Sequence, residues 1–112
     1  MRARALLGWL VSPLLAAGAL ADSAAPAVLD GKALYHEKCL MCHGPAGMGT
    51  GLLQRRVQPA ELAKRTNLTR EQVIAVARAG LGNMPAMSRG EVSDPQLAAI
   101  ADYLVTAPEA NR

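Results

Sequence analysis

Five residues, Cys39-Leu40-Met41-Cys42-His43, constrain this chain more than anything else in it. Residues at i, i+3 and i+4 share one helical face, so two thiols and an imidazole are brought to the same side of one turn. This spacing is that of c-type haem attachment. The thiols reach the two vinyl groups of one porphyrin and form thioethers, and the imidazole lies under the iron as proximal ligand. Three other chemistries compete for the same residues. A thiol–disulfide pair normally sits at a βαβ element, and no such pattern is visible. A zinc site wants four N or S ligands; Cys39, Cys42, His36 and His43 all fall within eight positions on or near one helix. A plain structural disulfide is the simplest alternative. Covalent haem c is the expectation carried forward.

The rest of the 112-residue sequence explains why a bulky prosthetic group would help it fold. Arg2 and Arg4 precede an apolar stretch from Leu6 to Leu20, which ends in Ala19-Leu20-Ala21. That is the layout of a secretory signal peptide over residues 1–21, cleaved before Asp22. An uncleaved anchor is the alternative, but the stretch is short for a span and carries Ser12, Pro13 and Gly18. Once residues 1–21 are gone, ten basic face nine acidic side chains, a net charge of +1 rather than +3. The basic character therefore gives no support to nucleic-acid binding. Trp9 leaves too, and with no Phe in the sequence Tyr35 and Tyr103 are the remaining aromatics. A domain this small with so few large side chains struggles to fill a core. Export also suits haem, because c-type attachment takes place on the exported side of the bacterial membrane.

The patterning is helical throughout. Residues 22–29 read as a flexible lead, residues 30–106 as the domain and residues 107–112 as a tail. Asp30 is placed to N-cap a helix running to about Met41. The glycines between Gly44 and Gly51 predict an irregular loop. Pro59 opens a short helix over Ala60 to Arg65. Thr69 and Gln72 have capping-box spacing ahead of Val73, Ile74, Val76 and Ala77, and Gly80 ends that helix. Leu81 to Gly90 reads as a loop. Ser93 and Gln96 form a second capping box, and Leu97, Ile100, Ala101 and Leu104 then line one helical face, with Pro108 beyond its end. There is no period-2 strand pattern. The class is all-α, with three or four short helices around one haem.

The iron's second axial ligand has to come from elsewhere. His36 precedes the motif on the same helix and reads as a surface residue. Met41 lies inside the motif, and Met48 would need a tight loop around the ring edge. Met84 lies well downstream in a loop, with Pro85 fixing the backbone after it. Met87 competes with it, its other role being to fill a gap in the core. Met84 is the expected distal ligand.

Taken in order, Gly31-Lys32-Ala33-Leu34-Tyr35, the Cys39–His43 motif, Gly80 to Met84-Pro85, and Ile100-Ala101-Asp102-Tyr103-Leu104 resemble the class I monohaem cytochromes c over about residues 30 to 105. The resemblance implies thioethers at Cys39 and Cys42, His43 as proximal and Met84 as distal ligand. It also implies a crossing of the first and last helices, with Gly31 close to Tyr103. One departure matters. The family usually has a Pro after the motif whose carbonyl accepts from the proximal imidazole. Here the stretch reads Gly49-Thr50-Gly51-Leu52-Leu53, with no Pro; any backbone carbonyl can accept this bond, that of Gly51 or Leu52 among them. A narrower similarity adds Met84-Pro85-Ala86 and Val92-Ser93-Asp94. It points to the small cytochrome subunit of 4-cresol dehydrogenase-type flavocytochromes, which takes electrons from a flavoprotein.

With both axial positions filled, neither O₂ nor a substrate finds an open site, which favours electron transfer over catalysis. The expected function is that of a periplasmic one-electron carrier and not an enzyme. The alternative is a dedicated cytochrome subunit of a periplasmic flavoprotein dehydrogenase. A haem-based sensor or peroxidase would require Met84 to leave the iron. The expected partners are redox proteins, with no nucleic acid and no membrane span after cleavage. Residues 55–78 carry Arg55, Arg56, Lys64, Arg65, Arg70 and Arg78 against Glu61 and Glu71. That asymmetry would steer an acidic partner onto one side, unless these are ordinary solvated helix faces.

Overall fold

A computed structural model describes residues 27–110 of the chain; the expected signal peptide and the first residues of the lead lie outside them. The described residues form helices and no strands: α1 (Gly31–Lys38), α2 (Leu40–His43), α3 (Met48–Leu53), a 3₁₀ turn (Leu62–Lys64), α4 (Arg70–Ala79) and α5 (Asp94–Ala110). Three longer helices, α1, α4 and α5, carry the architecture. The remaining turns take the number of helical segments above the three or four expected.

Each long helix starts where its capping chemistry places it. Asp30 Oδ1 accepts from the amides of Lys32 and Ala33 at 3.0 and 3.1 Å. Thr69 and Gln72 close a full capping box on α4. Ser93 and Gln96 exchange the same pair of bonds ahead of α5. These side chains satisfy amides that have no partner inside the helix.

Four expectations are corrected. The first helix does not run on to Met41, because Cys39 leaves helical geometry at φ −123° and separates α1 from α2. The glycine-rich stretch is not wholly irregular, since α3 begins inside it at Met48. The short helix after Pro59 is a single 3₁₀ turn. Finally, α5 continues over Pro108 to Ala110 instead of stopping short of it. Pro removes one backbone donor, and in the last turn of a long, well-packed helix that loss does not end it.

The core is a cluster of Tyr35, Ala77, Val92, Leu97, Ile100 and Leu104. α5 supplies half of it and packs against α1, α4 and the 3₁₀ turn. Its buried stripe of Leu97, Ile100, Ala101, Leu104 and Ala107 extends by one turn the face expected from the sequence. Burying a Leu, Ile or comparable side chain contributes about 1.5–3 kcal/mol, so this one helix carries much of the fold. α1 crosses it at Gly31. A Cβ there would fall inside contact distance of the Ala99 carbonyl and 3.0 Å from Tyr103 Cβ. Tyr35 and Tyr103 meet at the crossing with ring centroids 5.5 Å apart and planes tilted by 45°.

Candidate haem-attachment site

The break at Cys39 leaves the motif itself on one turn. The His43 amide donates to the Cys39 carbonyl at 3.0 Å, and the Gly44 amide to the Leu40 carbonyl at 2.7 Å. Cys39, Cys42 and His43 are thus held together at the end of α2, all three half-buried. Gly44 and Gly47 let the chain fold back on this turn: a Cβ at Gly44 would sit 2.7 Å from the Leu40 carbonyl oxygen. α3 then passes beside the imidazole, where a Cβ at Gly49 would lie 3.4 Å from His43 Cε1.

The electrostatics separate the competing chemistries. Both cysteines are free thiols. Burial, and then the neighbouring Cys42, push the Cys39 thiol up to about 11. A redox-active Cys-x-x-Cys needs the opposite, a thiolate stabilised at neutral pH. Among the described residues no three His, Cys, Asp or Glu side chains converge as a metal cage would require. Burial lowers the His43 pKa, so the imidazole is neutral and its lone pair is available to a metal ion. His43 Nδ1 is buried without a hydrogen-bond partner. The carbonyl of Gly51 or Leu52, expected to accept from it, does not do so here; both residues lie in α3.

Tyr35 anchors the turn from the other side. It is 2% exposed, and its hydroxyl donates to the His43 carbonyl at 3.2 Å. Burial drives its pKa strongly upward, so it stays a neutral donor. Sequence reading assigned Tyr35 no role at the site; its place one turn before Cys39 was the signal that it would face the motif.

Met84 reaches the same core from the opposite end of the sequence. Gly80, at φ +74°, and Gly82, at φ +58°, take left-handed conformations suited to glycine. Just after Gly80 the chain makes a two-residue hairpin over Gly82 and Asn83, in which Leu81 and Met84 exchange backbone bonds of 3.0 Å each. Cys39, Leu40, Leu62, Leu68, Ile74 and Met84 all remain half-buried against the core cluster. Met87 packs on that cluster too. Met41 and Met48 point to solvent at 88% and 67% exposure, and His36 is exposed.

The donor set fits a haem. Two free thiols and a neutral imidazole share one turn, a thioether lies in a fixed hairpin, and half-buried aliphatic side chains lie against the same core and suit a flat apolar ring. A small helical domain built on such a motif is a monohaem cytochrome c. The model for the family described as cytochrome C oxidase, cbb3-type, subunit III, matches residues 26–104, and the chain belongs to that family of cytochrome c domains. No curated protein and no solved structure matches it. Haem c is therefore its cofactor.

Proposed function

We propose that this chain is a periplasmic one-electron carrier with Cys39 and Cys42 as the thioether anchors and His43 and Met84 as the axial ligands. When bound, haem c supplies an iron that takes up and gives back a single electron. The protein's part is to hold that iron still. His43 comes from a turn fixed by Tyr35, and Met84 from a hairpin fixed by two glycines. With His43 and Met84 both holding the iron, no position would be left for a substrate, so the chain would pass electrons and not transform molecules. A thioether ligand and a largely apolar surrounding both favour the reduced, less charged state. The observation that carries this reading is the half-buried Cys39–Cys42–His43 turn lying against the same core as Met84. Localisation to the periplasm rests on the leader-like residues 1–21.

Spectroscopy of the oxidised protein tests the ligand set. Met84→Ala is expected to abolish the sulfur-to-iron charge-transfer band and lower the midpoint potential, while Met87→Ala keeps the band. The reverse pattern would transfer the ligand role to Met87.

A second reading, the cytochrome subunit of a flavoprotein dehydrogenase of the 4-cresol type, is favoured by Met84-Pro85-Ala86 followed by Val92-Ser93-Asp94. Gel filtration of native periplasmic extract separates the two. Haem eluting near monomer size marks a mobile carrier. Haem eluting with flavin at much larger size marks the subunit. Large size without flavin would fit an assembly of the kind named in the family's description.

A further inference from the structure

The segment after Met84 is fastened to the end of α4 by one side chain. Arg78 Nη1 donates to the Met87 carbonyl at 3.0 Å. Its Nη2 donates to the Val92 carbonyl at 2.9 Å and to Asp94 Oδ1 at 2.8 Å. Asp94 is held in turn by Arg89 Nε on its other oxygen, at 2.8 Å. The Arg78 side chain is only 17% exposed, and its Nε is buried with no partner. A guanidinium taken this far out of water is costly unless its donors are used. Two contacts converge on Met87: besides accepting from Arg78, its amide donates to the Ala77 carbonyl, at 2.8 Å. Both backbone groups of Met87 are therefore tied to the last turn of α4.

The position of this clamp gives it a role. The loop carrying Met84 leaves α4 at Gly80 and is recaptured at Met87, so Met84 sits on a short bridge between two fixed points. On the N-terminal side the restraint is backbone, with Gly80 closely covered by Met84 and Ala86. On the C-terminal side, among the described residues, Arg78 is the only α4 side chain hydrogen-bonded to the segment that ends the bridge. We infer that Arg78 is the positioning residue for Met84: it keeps the loop closed so that the thioether stays on the iron and outside ligands are kept off. This rests on Met84 being the distal ligand. A lysine cannot replace it, because a single ammonium does not present the planar fork that spans two carbonyls and a carboxylate.

An external ligand can bind the iron only in molecules whose loop has opened, so its apparent affinity reports the open fraction directly. Oxidised holoprotein is titrated with imidazole while loss of the sulfur-to-iron band is followed. Arg78→Met is expected to raise the apparent imidazole affinity by roughly ten- to a hundredfold, the usual effect of losing hydrogen bonds from a charged donor. Arg78→Lys should fall between it and the wild type. Asp102→Asn is the control. It breaks the Arg70–Asp102 ion pair of 2.7 Å, which joins α4 to α5 away from the loop, and should leave the affinity within about twofold. In Arg78→Met the Met87 amide should also exchange its hydrogen faster. Wild-type affinity in Arg78→Met, or in Arg78→Lys should the first variant not accumulate, would overturn the inference. An equal rise in Asp102→Asn would do the same, by reducing Arg78 to general support of the helix pair. A wild-type protein with no sulfur band would instead defeat the Met84 assignment itself, and the role of Arg78 with it.

Discussion

Single atoms decide the site. The Gly80 hydrogen occupies the only space left between the end of α4 and the returning loop: a Cβ would lie 2.8 Å from both the Ala86 nitrogen and the Met84 oxygen. At φ +74° it would also meet the left-handed penalty of about 1–2 kcal/mol. Gly80→Ala is expected to lower stability by at least that much and to weaken the sulfur-to-iron band, both measurable in one thermal melt followed optically. Residues of this kind were unevenly legible in the sequence. Cys39, Cys42 and His43 announce themselves by spacing, because i, i+3 and i+4 put two thiols and an imidazole on one helical face. Gly80 was readable as a helix stop, which it is, but not as the floor beneath Met84. Tyr35 and Arg78 were hidden for a different reason. Their roles are hydrogen bonds to backbone carbonyls, and any carbonyl can accept, so the partner leaves no trace in residue type. The expectation that Gly51 or Leu52 would orient His43 is not met, since His43 Nδ1 has no hydrogen-bond partner.

Helices were more legible than the turns between them. Capping boxes at Thr69 and Ser93 placed α4 and α5, since the side chains that satisfy the first amides are few and specific. The helix from Met48 was missed because glycine-rich segments take their conformation from what packs on them, and propensity is silent there. The α1–α5 crossing, expected from Gly31, is where two elements approach most closely. Gly31→Ala forces them apart and should cost about 3 kcal/mol, the upper end for overpacking, seen as a lower unfolding midpoint. The start of α5 adds a pH dependence. Hydrogen bonds from Arg89 and then Arg78 hold the Asp94 carboxyl below the usual carboxylate range. A group with a depressed folded-state pKa stabilises the fold above its unfolded value, and that contribution fades as pH falls through the folded one. Asp94→Asn should therefore flatten the acid limb of a stability–pH profile below about pH 4, and leave little else changed in its shape. An unchanged acid limb would remove Asp94 from that role.

At the scale of the whole molecule the chain is short of bulk. Its largest fully buried side chains are Tyr35, Ile100, Leu104, Val92 and Thr50, a thin core for a domain of this length. The haem face supplies the missing apolar surface. Replacing both Cys39 and Cys42 by Ala should leave little folded protein, detected as lost helical circular dichroism and fast proteolysis; a well-folded, haem-free double variant would show the core to be self-sufficient. Charge is distributed less unevenly than the sequence suggested. Arg70, Arg78 and Lys64 are engaged with Asp102, Asp94 and Glu61. Among the described residues Arg55 and Arg56, like Lys32, are exposed and form no ion pair. The contact of Gly31 with Ala99 and Tyr103 has a further consequence for how the protein is made. The two helices that must touch are the first and the last among the described residues, and the later one supplies most of the buried apolar side chains. A nascent or truncated chain lacking α5 has nowhere to bury Tyr35 and stays open to proteases. Closure therefore waits on α5: only a chain in which this helix is present can shut around the turn that bears Cys39, Cys42 and His43.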